Sequence, residues 1–238
     1  MSIASVRRSF LILGSYLALA TASLSAQQLT ADEVVARVGE AMGGAERIDA
    51  LKTLQFEVHN WRDGSEAWSA AWDIERPDLI RAQHPNTLVL FDGERASMDE
   101  GPPGEPQLLP AESWLHFPWD IALWFPAFFD YETEYLGLET VEGSEYHALR
   151  VVMPLGGTLT YHIDPDSYLA RTITISLVVD GVERDFLTEL SDYRNVDGIL
   201  FAHTHSRGGE LVAVLHEVEF NVPFPDDHFD IGIGDGGR

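Results

Sequence analysis

Polar and apolar positions alternate along most of this chain with the period of β-strands. Leu54, Phe56 and Val58 alternate with Gln55, Glu57 and His59; Trp68, Ala70, Trp72 and Ile74 alternate with Ser69, Ala71, Asp73 and Glu75. A period of two places each apolar set on one face of a strand that is covered on one side. The same reading predicts strands near 79–84, 87–91, 135–141, 146–153, 158–163, 170–179, 183–193, 199–207 and 211–221. Turn residues separate most of them: Asp92-Gly93, Glu142-Gly143, Gly156-Gly157, Asp164-Pro165-Asp166, Asp180-Gly181, Asp197-Gly198 and Gly208-Gly209. Short, regular spacing with such turns predicts an antiparallel, up-and-down sheet. No strand alternates with a long helix, which disfavours a parallel α/β fold. About ten strands in one sheet must curl or close.

Two stretches depart from that period. The first, after Leu29, reads as helix. Thr30-Ala31-Asp32-Glu33 has the spacing of a capping box, in which the Thr30 hydroxyl and the Glu33 carboxylate each accept a backbone N–H. Val34, Val35, Val38 and Met42 then share one face, and Gly43-Gly44 supplies the stop. A second short helix follows, with Ile48 and Leu51 on its buried side. The second departure is 111–131, neither strand-like nor polar. Pro118 and Pro126 cut it into short pieces, expected to be helical, and eight of the eighteen residues from Trp114 to Tyr131 are aromatic. Either it plugs the open side of a curved sheet as permanent core, or it is a lid over an apolar cavity, with the glycines before it as a hinge.

Composition narrows the function. The chain has 238 residues, 45% of them hydrophobic, which excludes wholesale disorder, and a formal charge of −24. Phosphate binding needs clustered Lys and Arg, so this balance argues against nucleic acid. With no cysteine there are no disulfides, thiolate metal sites or Cys-linked lipids. Residues 1–26 read as a secretory signal peptide: Arg7 and Arg8 precede an uncharged run from Phe10 to Ala22, small residues at −3 and −1 allow cleavage after Ala22 or Ser25, and cleavage after Ala26 puts Leu24 at −3. Those thirteen residues, mostly apolar, are too few to span a bilayer as a helix. Cleavage after Ala26 takes the charge to −26 and leaves a mature protein expected in the periplasm. Residues 27–231 are expected to form one domain, and 232–238 a flexible tail.

Catalytic patterns are missing. The sequence holds no Gly-x-Ser-x-Gly, no phosphate-binding loop and no Ser-x-x-Lys, and Phe220 stands where His216-Glu217 would need a second histidine for a zinc-protease motif. His203-Thr204-His205 places two imidazoles on one face of a strand, as a metal pair requires, although an exposed polar face explains them as well. Asp164 and Asp166 flank Pro165 where Asp is favoured by turn geometry alone. No catalytic residue, metal ligand or cofactor is assigned.

Several blocks, in order, resemble the LolA-like group of periplasmic lipoprotein carriers and outer-membrane lipoprotein-sorting proteins. They are AMGGAERIDALKTL, ERPDLIRAQ and LVLFDGERA before the aromatic stretch, then GTLTYHIDPDSYLARTITI, LSDYRNVDGILFAHTHSRGG and VEFNVPFPDDHF after it. YHIDPDSYLAR and DYRNVDGILF are the most specific, and Ala202 stands where a proline often follows the late DGILF strand. The resemblance implies a mainly β (α+β) fold: a curved antiparallel sheet forming an incomplete β-barrel, with N-terminal helices and the aromatic helical segment covering the open side. It also implies an apolar interior that holds lipid chains or lipoprotein acyl groups, with no catalytic set to carry over. The expected function is a non-catalytic carrier or binding protein for a lipid or an acylated lipoprotein, with Trp68, Trp72, Ile74, Trp114, Phe117, Trp124 and Phe128 around the ligand. Transient membrane contact and an envelope protein partner fit that role. The alternatives are a protein-interaction or sensor module of the envelope on the same fold, and a metal-dependent enzyme using His203 and His205.

Overall fold

The computed structural model describes residues 29–77, 79–100, 106–109, 132–152, 158–179 and 182–232. The signal-peptide stretch, the aromatic stretch 111–131 and residues 233–238 lie outside them. Helix α1 (Ala31–Met42) begins at the capping box read from sequence. The Glu33 N–H donates to Thr30 Oγ1 at 3.2 Å and the Thr30 N–H donates to Glu33 Oε2 at 2.9 Å. Val34 and Val38 are fully buried, while Val35 and Met42 sit half-buried beside them. Gly39 faces helix α2 (Ala45–Asp49): a β-carbon there would lie 3.9 Å from Ile48 Cδ1, an ordinary packing distance.

At the end of α1 two distant sequence blocks meet. Gly43 has φ +137°, and a β-carbon on it would stand 2.2 Å from the Gly198 carbonyl oxygen. Arg47 Nη1 donates to the Gly43 carbonyl at 2.7 Å, and its guanidinium lies against Gly198. The helix stop in AMGGAER is thereby locked to the turn in NVDGIL.

Among the described residues thirteen strands make one antiparallel sheet: β1 (Thr53–Arg62), β2 (Ser65–Glu75), β3 (Leu79–Gln83), β4 (Thr87–Phe91), β5 (Ala96–Glu100), β6 (Gln107–Leu108), β7 (Thr133–Val141), β8 (Ser144–Val152), β9 (Thr158–Ile163), β10 (Ala170–Val179), β11 (Val182–Val196), β12 (Ile199–Arg207) and β13 (Glu210–Phe220). Their order is β6-β5-β4-β3-β2-β1-β13-β12-β11-β10-β9-β8-β7. The first and last strands pair in the middle of the sheet, and its two edges, β6 and β7, are consecutive in sequence. This is an up-and-down barrel left open at one seam. Edge strand β7 carries a register shift between Tyr135 and Gly137, where Gly137 has φ +104°, and such a kink discourages pairing with a second sheet.

The sequence pattern anticipated eleven of these strands. It missed β5 and β6 because Ala96-Ser97-Met98-Asp99-Glu100 offers two apolar residues and Gln107–Leu108 is too short to show a period. The long β11 also runs past the expected 183–193, continuing through Asp192 at φ +53° to Val196.

One face of the sheet is apolar and forms the inner wall. It divides into two clusters. Against β8–β11, Val34 and Val38 of α1 pack on Leu149, Val151, Leu159, Tyr161, Ile163, Ile173 and Ile175. On β1–β4, Leu54, Phe56, Val58, Trp72, Ile74, Ile80, Val89 and Phe91 pack on one another, joined by Ile199 and Phe201 of β12 and Ala213 and Leu215 of β13. Among the described residues the helical region adds only Met42 and Leu51 to this second cluster.

Candidate functional site

The β1–β4 part of the inner wall is built by alternation alone. Phe56 pairs with Trp72 and Leu54 with Ile74 across β1 and β2, and Trp72 and Ile74 pair with Ala82 and Ile80 across β2 and β3. Phe56 and Trp72 rings lie nearly parallel, with centroids 6.1 Å apart. Ile74 is fully buried and Trp72 nearly so, whereas Trp68, two pairs farther along β2, is 36% exposed at the rim. His84 caps this corner, its ring 5.0 Å from Trp68 and 6.0 Å from Trp72. Burial pushes the His84 imidazole below its ordinary pKa, so it stands neutral among the indoles.

Of the seven residues expected around a ligand, Trp68, Trp72 and Ile74 therefore share one face of one strand. Trp114, Phe117, Trp124 and Phe128 lie outside the described residues.

A transverse row of the same wall carries polar groups. Cross-strand pairing runs Trp68–Asn60–Ala213–His205–Leu190 over β2, β1, β13, β12 and β11. Paired residues share a face, so all five look inward. His205 is 2% exposed and neither ring nitrogen has a hydrogen-bond partner. Asn60 Nδ2 and Trp72 Nε1 are likewise buried without one. Burial, with help from Arg207 and His203, pushes the His205 pKa down to about 3, so the ring is uncharged at neutral pH. Sequence reasoning passed over Asn60, although the alternation that put Leu54, Phe56 and Val58 inside continues to it.

Beneath α1 the interior is almost filled. A cavity of about 20 Å³, room for about one water, lies among Met42, Tyr161, Leu190, Tyr193 and Phe201. Tyr193 closes this region by donating its hydroxyl to the Ala170 carbonyl at 2.6 Å, and burial raises its pKa. A second cavity, of about 440 Å³, opens to solvent between Asp49, Lys52, Glu75 and Arg76 and has a polar lining.

No protein-family model matches the chain, and no curated protein sequence matches it. Solved structures do. A LolA superfamily protein from Nitrosomonas europaea aligns with a TM-score of 0.57 at 12% identity, over 84% of this chain and 97% of that one. A DUF1329 family protein from Desulfovibrio piger gives 0.56 at 12% identity, over 84% and 97%. A domain from Vibrio parahaemolyticus described as an outer membrane lipoprotein-sorting protein gives 0.51 at 10% identity, over 83% and 95%. The fold is LolA-like.

The other candidate groups lie in the same LolA-like sheet and its turns. His203 and His205 do share a face, but His203 Nδ1 lies 2.8 Å from the Phe201 carbonyl and donates to it. No group of three or more metal-ligating side chains gathers among the described residues. Asp164 Oδ1 accepts from the backbone N–H groups of Asp166 (3.2 Å) and Ser167 (2.7 Å) and from Ser167 Oγ (2.7 Å). Those bonds hold its carboxyl below the usual range and account for the Asp-Pro-Asp turn without a cation. On the outer face His59 sits between Glu66 (3.0 Å) and Glu57 (3.5 Å), which raise its pKa, the Glu66 hydrogen bond most.

Proposed function

We propose that this chain is an exported, non-catalytic carrier or binding protein that shelters an apolar or amphipathic ligand, a lipid or the acyl part of a lipoprotein, against the β1–β4 wall. In this reading residues 1–26 are a cleaved signal peptide. Residues 27–231 are one LolA-like half-barrel domain working in the periplasm, and 232–238 are a tail. The observation that carries it is the apolar wall of Phe56, Trp72, Ile74, Ile80 and Phe91, to which the described helical region contributes only Met42 and Leu51. The chain between edges β6 and β7 is the aromatic stretch, and we assign it the remaining cover: Trp114, Phe117, Trp124 and Phe128 face Trp68, Trp72 and Ile74 across the ligand. Burying an alkyl chain there is favourable by about 0.8 kcal/mol per CH₂, enough for a carrier with no catalytic group. Transient contact with a membrane supplies or receives the cargo.

Titration with the apolar fluorophore 1-N-phenylnaphthylamine tests this. Mature protein is expected to bind it with a saturable gain in emission, and Trp124→Asp to weaken binding by roughly tenfold or more, since a buried carboxylate is costly. Absence of saturable binding by the folded wild type overturns the carrier reading. It leaves the envelope interaction module, which the almost filled interior beneath α1 favours.

A further inference from the structure

The transverse row Trp68–Asn60–Ala213–His205–Leu190 asks for something that the protein itself does not provide. Buried polar groups are almost always hydrogen-bonded, because an unpaired one forfeits its bonds to water with no return. Here three such side chains stand on one apolar face: Asn60 through Nδ2, His205 through both ring nitrogens, and Trp72 through Nε1. Asn60 and His205 are not neighbours that could satisfy each other. Ala213 lies between them in the row, so their strands are two interstrand spacings, about 10 Å, apart. The small alanine stands between an amide donor on one side and an imidazole on the other. Trp68 and Leu190 bound the row at its ends.

We propose that this row receives the neutral carbonyl end of the cargo, an ester or amide at the head of an alkyl chain, with Asn60 Nδ2 and a His205 ring N–H donating to its oxygens. This rests on the carrier reading and specifies its ligand class. The chemistry of the row selects a neutral head over an anionic one. Asn60 and Trp72 are uncharged donors, and His205 is buried without a carboxylate partner and stays neutral. Arg207, two residues farther along β12, already donates its Nε–H to Thr188 Oγ1 at 3.0 Å. A free carboxylate brought here would be desolvated opposite neutral dipoles, whereas an ester carbonyl gains hydrogen bonds at little desolvation cost. The unmet donors are a stability cost that the empty protein carries and the bound one recovers, a pattern expected of binding sites rather than of packed core.

The test is displacement of 1-N-phenylnaphthylamine from delipidated mature protein at pH 8 by three ligands of one chain length: methyl laurate, laurate and dodecane. Methyl laurate is expected to displace the fluorophore at roughly tenfold lower concentration than either of the others, the gain of one or two hydrogen bonds. The Asn60→Leu/His205→Leu double variant is expected to lose that preference, methyl laurate then displacing the fluorophore no better than dodecane does. In ¹⁵N spectra of the wild type, the His205 ring resonances should shift with methyl laurate and stay in place with dodecane, a readout that needs no variant. Equal or stronger displacement by laurate, a preference that survives in the double variant, or unmoved His205 resonances overturns the proposal while leaving the carrier reading intact. No displacement by any of the three overturns the carrier reading itself.

Discussion

Replacing Gly43 with alanine is expected to cost about 3 kcal/mol or more of folding stability, at the upper end for single substitutions. Two effects combine at this position. The backbone at φ +137° is one that L side chains rarely adopt, and the added carbon would lie 2.2 Å from a backbone carbonyl oxygen, that of Gly198, which cannot swing aside as a side chain could. Gly44 separates the two. It also has positive φ, +103°, but a β-carbon there meets nothing within 4 Å. Gly44→Ala should therefore show conformational strain alone, about 1–2 kcal/mol. Urea denaturation of the wild type and both variants measures the difference. A Gly43→Ala protein as stable as Gly44→Ala would mean that α1 does not seat on the β11–β12 turn, and the helix would then lose its fixed position over the β8–β11 wall.

The second large effect is a loss of stability in mild acid, traced to His205. Its pKa is near 6.5 in an unfolded chain and is pushed to about 3 by burial in the fold. The unfolded state therefore binds the proton first. The native advantage is complete above about pH 6.5 and drains as pH falls from there toward 3. At pH 5 this one residue costs about 2 kcal/mol relative to neutral pH. His84, His147, His162 and His203 are also lowered by burial and act in the same direction. The lowered carboxylates Asp92, Asp164 and Asp192 add their loss later, as pH falls from the ordinary Asp pKa of 3.8 toward their own lower folded values. His205→Leu should be as stable as the wild type at pH 8, or more so, because it removes an unpaired buried polar group. It should also flatten the stability profile between pH 7 and pH 4. Urea midpoints across that range decide it, and an unchanged profile in the variant would place His205 in contact with water or a partner.

The legible part of the fold was the part governed by period two. Leu54, Phe56 and Val58, or Trp72 and Ile74, announce both the strand and its inward face, and the capping box announces the start of α1 to the residue. Strands β5 and β6 were illegible because pairing, β5 with β4 and β6 with β5, and not their own composition, makes them strands. The approach of Gly43 to Gly198 could not be read either, since a glycine at a helix stop looks the same whether or not a carbonyl lies behind it. At the site, aromatic content drew attention to Trp68 and Trp72, and parity places them correctly on one wall. The same parity carried to Asn60 would have found a polar residue inside, but an Asn near a strand end resembles a turn residue. His205 was noticed for its spacing to His203, a metal signal, when its significance in the fold is deep burial without a partner.

Most direct for the carrier reading is lipid extraction, with native mass spectrometry, of mature protein freshly purified from its envelope without detergent. A stoichiometric adduct of lipid mass, released into organic solvent and absent from Trp124→Asp, is the expected result. Protein that runs at its polypeptide mass, yields no lipid, and takes none up when offered acyl chains would contradict it.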